Sequence, residues 1–243
     1  MVNTLCDDIY TLFVSGAKEN MQKLRANVHE LTRHFFRNPI TLEALDAVCD
    51  LERRLLHMNG SQKQFIEEDL FLVFTEVARL CVRENADEDT FLLLNEQLIT
   101  HEDDNPRAST HIMASRLVEF ADELFQFTKP RDNFATKRKA HALGMLSALS
   151  EVYEIPEAYA TSVGFLKSKK RDAIVAAIKF LDWYTNVRDI PLEEDVIEQL
   201  DKLIIQTKDH SVAVHALNLQ VRTGHIDEVT ALSRIDEWKE RFE

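Results

Sequence analysis

Apolar residues along this chain recur at intervals of three and four, the spacing that gathers them on one face of an α-helix. Met21, Leu24, Val28, Leu31 and Phe35 form one such stripe, closed by Asn38-Pro39 because proline pushes the residue before it out of the α region. The spacing predicts a first helix over 2–15 ending at Gly16 and a second over 17–37. Thr41 then opens a helix reaching about Met58, stopped at Asn59-Gly60, read as a left-handed terminator. Ser61 and Gln64 form a capping box for a helix over 62–84. Its centre, Leu70 to Phe74, is apolar on every side, which predicts a core helix covered all round.

The breaks continue in the same style. Asp87-Glu88-Asp89 puts negative charge at the start of a helix to Thr100, and Asn105-Pro106 starts another to Thr128. Pro130 opens a segment to Glu154, and a short helix follows Pro156. Four further helices are predicted over 169–187, 193–207, 210–222 and 226–242. No Asn-Gly, Asp-Gly or Gly-Gly pair sits between alternating apolar runs, so the hairpin signal of a β-protein is missing. The fold class expected is therefore all-α, in eleven or twelve helices.

The last four segments carry a longer regularity. Ile174, Ala177, Ile178, Leu181 and Tyr184 make one stripe, and Val196, Ile197, Leu200, Leu203 and Ile204 the next. Ala213, Ala216, Leu217 and Val221 follow, then Val229, Leu232, Ile235, Trp238 and Phe242. Taken in pairs they repeat every 39–40 residues or so, the interval of stacked helical hairpins. Within them the runs Asp172-Ala173-Ile174-Val175-Ala176-Ala177 and Ser211-Val212-Ala213-Val214-His215-Ala216-Leu217 resemble the HEAT-like and armadillo-type repeat superfamily. That resemblance implies an α-α superhelix, a solenoid of antiparallel helix pairs used as a docking surface. The alternative is a compact helical bundle. The first 128 residues do not align to the same period, so the expected organisation is an N-terminal helical region over 1–128 and HEAT-like repeats over 129–243, continuous as one domain.

Composition narrows the function. A net charge of −13 in 243 residues repels nucleic acid and anionic membranes as a global effect. The charge is uneven: residues 129–171 hold 9 basic against 4 acidic side chains, whereas 1–128 hold 12 against 23 and 172–243 hold 8 against 15. Lys137, Arg138 and Lys139 form one cluster in this basic island, and Lys167, Lys169, Lys170 and Arg171 another, placed where cations oppose the helix macrodipole. These seven, with Trp183 as an aromatic anchor, are the candidate binding residues.

Catalytic motifs are missing from the chain: there is no Walker loop, nucleophile elbow, His-Glu-x-x-His or Glu-x-x-His tetrad. Glu30 and His34 lie four apart without a matching second pair. His101-Glu102-Asp103-Asp104 is the densest ligand cluster, but helix capping explains it without an ion. No catalytic residue, metal site or cofactor is assigned. Cys6, Cys49 and Cys81 are odd in number, far apart and set in apolar patterns, as buried thiols in a reducing cytoplasm would be. No basic leader with an apolar segment opens the chain, and no apolar run reaches a membrane's thickness. The expected function is a helical-repeat scaffold or adaptor that binds another protein with an acidic surface, rather than an enzyme. Two alternatives remain open: an enzyme with a carboxylate or metal site in a helical pocket, and nucleic-acid binding through the basic 137–171 patch.

Overall fold

The structure, a computed structural model, describes residues 1–16, 18–60, 62–84, 106–127, 135–150 and 155–242. Among them every regular element is helical and no strand occurs. The helix assigned to 87–100, the His101-Glu102-Asp103-Asp104 cluster, the Asn105 cap, Ser61 of the capping box and the Pro130 start all lie outside the described residues. The chain divides into two compact units, Met1–Phe120 and Ala121–Glu243.

The first unit begins with α1 (Val2–Ser15), closed by Gly16 in the left-handed region at φ 61°, a conformation that suits a residue without Cβ. A single 3₁₀ turn (Lys18–Asn20) leads into α2 (Met21–Arg37), so this helix starts later than the apolar pattern suggested. In α3 (Leu42–Leu56) the Thr41 hydroxyl accepts the Ala44 N–H at 3.2 Å, the N-cap that the sequence announced. Gly60 is not a left-handed terminator; positive φ is confined to Gly16, Gly224 and Asp189 among the described residues. Its missing side chain instead makes room for Phe13, whose ring a Cβ would meet at 3.0 Å.

α4 (Lys63–Glu84) buries Ile66, Leu70, Val73, Phe74 and Val77. It is not covered all round, however. Leu72 is 54% exposed, because it falls on the stripe shared with Gln64, Arg79 and Arg83 that faces water. α5 (Pro106–Gln126) holds the boundary between the units, and Phe120 tilts against Phe74 with ring centroids 5.0 Å apart. Within this unit α1 packs on α2 and α3, α2 on α4, and α3 on α4. Helices two apart in sequence are therefore neighbours. Asn3 on α1 donates to Glu43 on α3 across 2.9 Å and 40 residues of chain, and His29 on α2 faces Asp69 on α4 at the same interval.

The second unit contains α6 (Ala135–Leu149), α7 (Pro156–Phe165), α8 (Arg171–Arg188), α9 (Glu194–Gln206), α10 (His210–Arg222) and α11 (Glu228–Phe242). α8 is the hub: it packs on α6, α7 and α10. Ala173, Ala177, Ala213 and Ala216 are fully buried, as close helix approach requires of small side chains. α10 in turn touches α9 and α11.

α9 and α11 are tied by directed hydrogen bonds. The Trp238 indole donates to the Thr207 carbonyl at 2.8 Å and Arg241 donates to that of Ile205 at 3.1 Å, satisfying carbonyls that the end of α9 leaves open. Gln220 is fully buried on α10. It donates to Asp201 on α9 at 3.0 Å, and Arg234 on α11 reaches the same carboxylate at 2.7 Å. The stripe read along α11 divides here. Trp238 is buried, but Val229 and Leu232 are 75% and 66% exposed, because only one flank of α11 meets other described helices.

Candidate functional site

α8 and α10 run parallel, and two ion pairs fix their register. Arg171 at the start of α8 meets Asp209, the N-cap of α10, at 2.6 Å; Asp182 further along α8 meets Arg222 at the end of α10 at 2.8 Å. These partners stand 38 and 40 residues apart. The Asp209 carboxylate has a second task, accepting the Val212 N–H at 3.1 Å as a cap. Burial raises the pKa of that carboxyl, but the Val212 N–H and the Arg171 hydrogen bond and charge outweigh it and hold the group below its ordinary value.

Between the two ion pairs sits His215, half-buried on α10. Burial, then the charges of Lys179 and Arg171, depress its pKa, with Asp182 and Asp209 acting against them. Asp182 moves the other way: burial raises its pKa more than Arg222 and His215 lower it. The solvent face of α8 carries Asp172, Lys179, Trp183 and Val187 at spacings of seven and four. Trp183 is 44% exposed, whereas Phe180, three residues before it, is fully buried. The two aromatics do not share a face: Phe180 stacks with Tyr184 inside, and Trp183 turns outward.

The two basic clusters fare differently. Arg138 is buried to 2% exposure, on the α6 stripe that continues through Ala142, Met145 and Leu149, and its guanidinium lies 5.7 Å from the centre of the Phe127 ring. It does not present its charge to solvent. Lys137 and Lys139 are half-buried, and burial lowers the Lys139 pKa. By contrast Lys167, Lys169, Lys170 and Arg171 all lie exposed between the end of α7 and the first residue of α8. The Arg171–Asp209 pair joins this stretch to the α9–α10 turn rather than to α6, and so brings exposed Lys208 to the same edge. Sequence reading missed Lys208, His215 and Arg222. The signal available was the spacing of the apolar stripes, since a step of 38–40 residues from Arg171 and Asp182 lands on their partners.

Other chemistry-bearing residues are occupied or buried. Glu30 pairs with Arg33 at 3.3 Å and His34 bonds Asn38, so the two do not meet as ligands. Cys6, Cys49 and Cys81 are buried free thiols, and burial pushes Cys6 and Cys81 up to about 12. Among the described residues no group of three or more His, Cys, Asp or Glu is placed to hold a metal ion. A groove of about 440 Å³ lies between α9 and α11, floored by Ile204, Trp238 and Phe242 and rimmed by Asp201, Arg234 and Arg241. Its charged rim is already engaged in the bonds that join the two helices. No described helix is long and apolar enough to cross a membrane. Comparison of the chain with protein-family models, with curated proteins and with solved structures found no match.

Proposed function

We propose that this chain is a helical-repeat scaffold of the cytoplasm that binds another protein, each unit being a HEAT-like stack of antiparallel helix pairs. One observation carries the reading: residues 38–40 apart pair across neighbouring helices in both units, at Asn3–Glu43 and His29–Asp69 as at Arg171–Asp209 and Asp182–Arg222. A repeating step of that size is what stacked helical hairpins require. Stacks of this kind offer a continuous outer face. On the face formed by α8 and α10, Trp183 is the exposed anchor of the sort that supplies much of the energy of a protein interface. The buried free thiols of Cys6, Cys49 and Cys81 support a reducing compartment.

The test is affinity capture of the tagged full chain from its native cells, with chemical crosslinks mapped by mass spectrometry. The scaffold reading expects a protein partner in stoichiometric amount, crosslinked to lysines beside α8 and α10, whose recovery drops when Trp183→Ala removes the anchor. Recovery of no stoichiometric protein by a folded chain overturns it.

A further inference from the structure

Resting on the scaffold reading, we infer that the edge formed by the α7–α8 and α9–α10 turns is a docking surface for a short acidic segment of a protein partner. Lys167, Lys169 and Lys170 are exposed on one turn and Lys208 on the other. The Arg171–Asp209 ion pair, 2.6 Å long, holds the two turns together. Asp209 is committed twice, to Arg171 and to the Val212 N–H. None of the four lysines is within ion-pair distance of a carboxylate among the described residues, whereas Lys63, Lys202 and Lys239 each have one. The edge is therefore a concentration of uncompensated positive charge in a molecule of net charge −13.

Lys169 and Lys170 stand just before α8, whereas Lys167 and Lys208 follow the C-termini of α7 and α9, where a cation is favourable. Lys170 is the N-cap of α8 and supplies no side-chain cap, and positive charge at a helix N-terminus opposes the macrodipole. The charge of Lys169 and Lys170 before α8 therefore costs stability, a cost that an acidic ligand would offset.

The size of the patch selects the partner. Packed helices lie 8–10 Å apart, so two adjacent turns are spanned by roughly three or four extended residues, each rising about 3.3 Å. Beyond the edge the surface turns acidic, at Asp172 beside it and at Glu193, Glu194 and Asp195 beyond the far end of α8. A nucleic acid, with charge continuing along its backbone, would run onto that acidic surface. It would also lack an aromatic platform, since Trp183 lies twelve residues along α8 from Arg171, about 18 Å away. A broad anionic membrane meets the same repulsion. A few clustered carboxylates fit the patch and stop.

The experiment uses the full chain and a fluorescein-labelled decaglutamate peptide, followed by anisotropy at about 25 mM and about 200 mM salt. Oligo(dT) of equal length and phosphatidylserine vesicles are run in parallel. Decaglutamate is expected to bind at low salt, to weaken as salt rises, and to lose at least about tenfold in affinity in Lys167→Glu/Lys169→Glu/Lys170→Glu/Lys208→Glu. The control Lys18→Glu/Lys23→Glu, on exposed lysines of the first unit, is expected to change affinity less than about twofold. The melting temperature of the quadruple variant should stay close to that of the parent, because glutamate favours the macrodipole at 169 and 170 and opposes it at 167 and 208. The Lys→Gln quadruple variant repeats the test without reversing charge. Peptide binding that the quadruple variants weaken no more than the control, or tighter capture of oligo(dT) or vesicles by the same lysines, overturns the inference. A stoichiometric cellular partner indifferent to these lysines sinks this inference and spares the scaffold reading; recovery of no partner sinks the latter.

Discussion

The two units solve the same packing problem with different materials. In the first, neighbouring helices are held by large interlocked side chains, Phe13, Phe35, Phe71, Phe74 and Phe120 among leucines, and arginines lie over aromatic rings, Arg54 over Tyr10 and Arg53 over Phe120. In the second, alanines let α8 and α10 approach, and polar bonds set the register: Arg171–Asp209, Asp182–Arg222 and the Asp201–Gln220–Arg234 network. Apolar bulk is tolerant of substitution so long as volume is kept, whereas a directed bond requires a particular residue at a particular step.

The largest effect should come from hollowing each core. Phe74→Ala is expected to lower protection from amide exchange in the first unit by about 3–5 kcal/mol and to leave that of the second unchanged, with Phe180→Ala doing the reverse. Loss of protection in both units from either change would show that they unfold as one body. Next is the buried network. Gln220→Ala leaves Asp201 and Arg234 facing a lost partner and should cost about 1–3 kcal/mol, read as loosened exchange in α9, α10 and α11.

The two N-caps sharpen the contrast. Thr41→Ala removes a single hydrogen bond and should cost about 1 kcal/mol in denaturant titration. Asp209→Ala removes a cap and the bond to Arg171 together, so it should cost more than Thr41→Ala. Equal losses would mean that the exposed Arg171 pair contributes nothing.

The smallest effect is in acid, and its sign differs from one carboxylate to another. For Asp201, burial raises the pKa, but hydrogen bonds from Gln220 and Arg234 and the charge of Arg234 prevail and hold it below the ordinary carboxylate value. A carboxyl depressed on folding stabilises the fold above its unfolded pKa of about 4 and loses that contribution as pH falls through the folded value. Asp209 behaves alike. In the first unit burial raises Asp69 more than His29 lowers it, so protonating that carboxylate removes no stability; Asp182 in the second unit acts in that same sense. Exchange followed from pH 7 to about pH 3 should therefore show α9 and α10 loosening before α2 and α4, and Asp201→Asn should shrink the difference.

Legibility followed the periodicity. Helices at α2, α3, α8 and α10 were readable because apolar residues three and four apart, Thr41 and Gly16 all act within one turn of chain. The exposed lysines of residues 167–171 were readable as a cluster, but the spacing that put Trp183 on one face with Phe180 did not separate the outward ring from the buried one. Arg138 was not, since nothing in Lys137-Arg138-Lys139 says which of three adjacent cations points inward. Leu72, Val229 and Leu232 misled for the converse reason: a stripe states which face is apolar, not whether a neighbour covers it.

By itself, then, the sequence determined that the chain is helical, where most of the described helices begin and end, and that its charge is unevenly spread. These follow from steric and hydrogen-bonding preferences felt within a few residues. Only the tertiary structure decided that Arg171 meets Asp209, that Lys208 joins the basic edge while Arg138 leaves it, and that Asn3 meets Glu43. Each of those facts joins residues far apart in the chain. Such pairings are chosen by how whole helices pack, a choice in which shape and volume summed over many side chains outweigh any local signal.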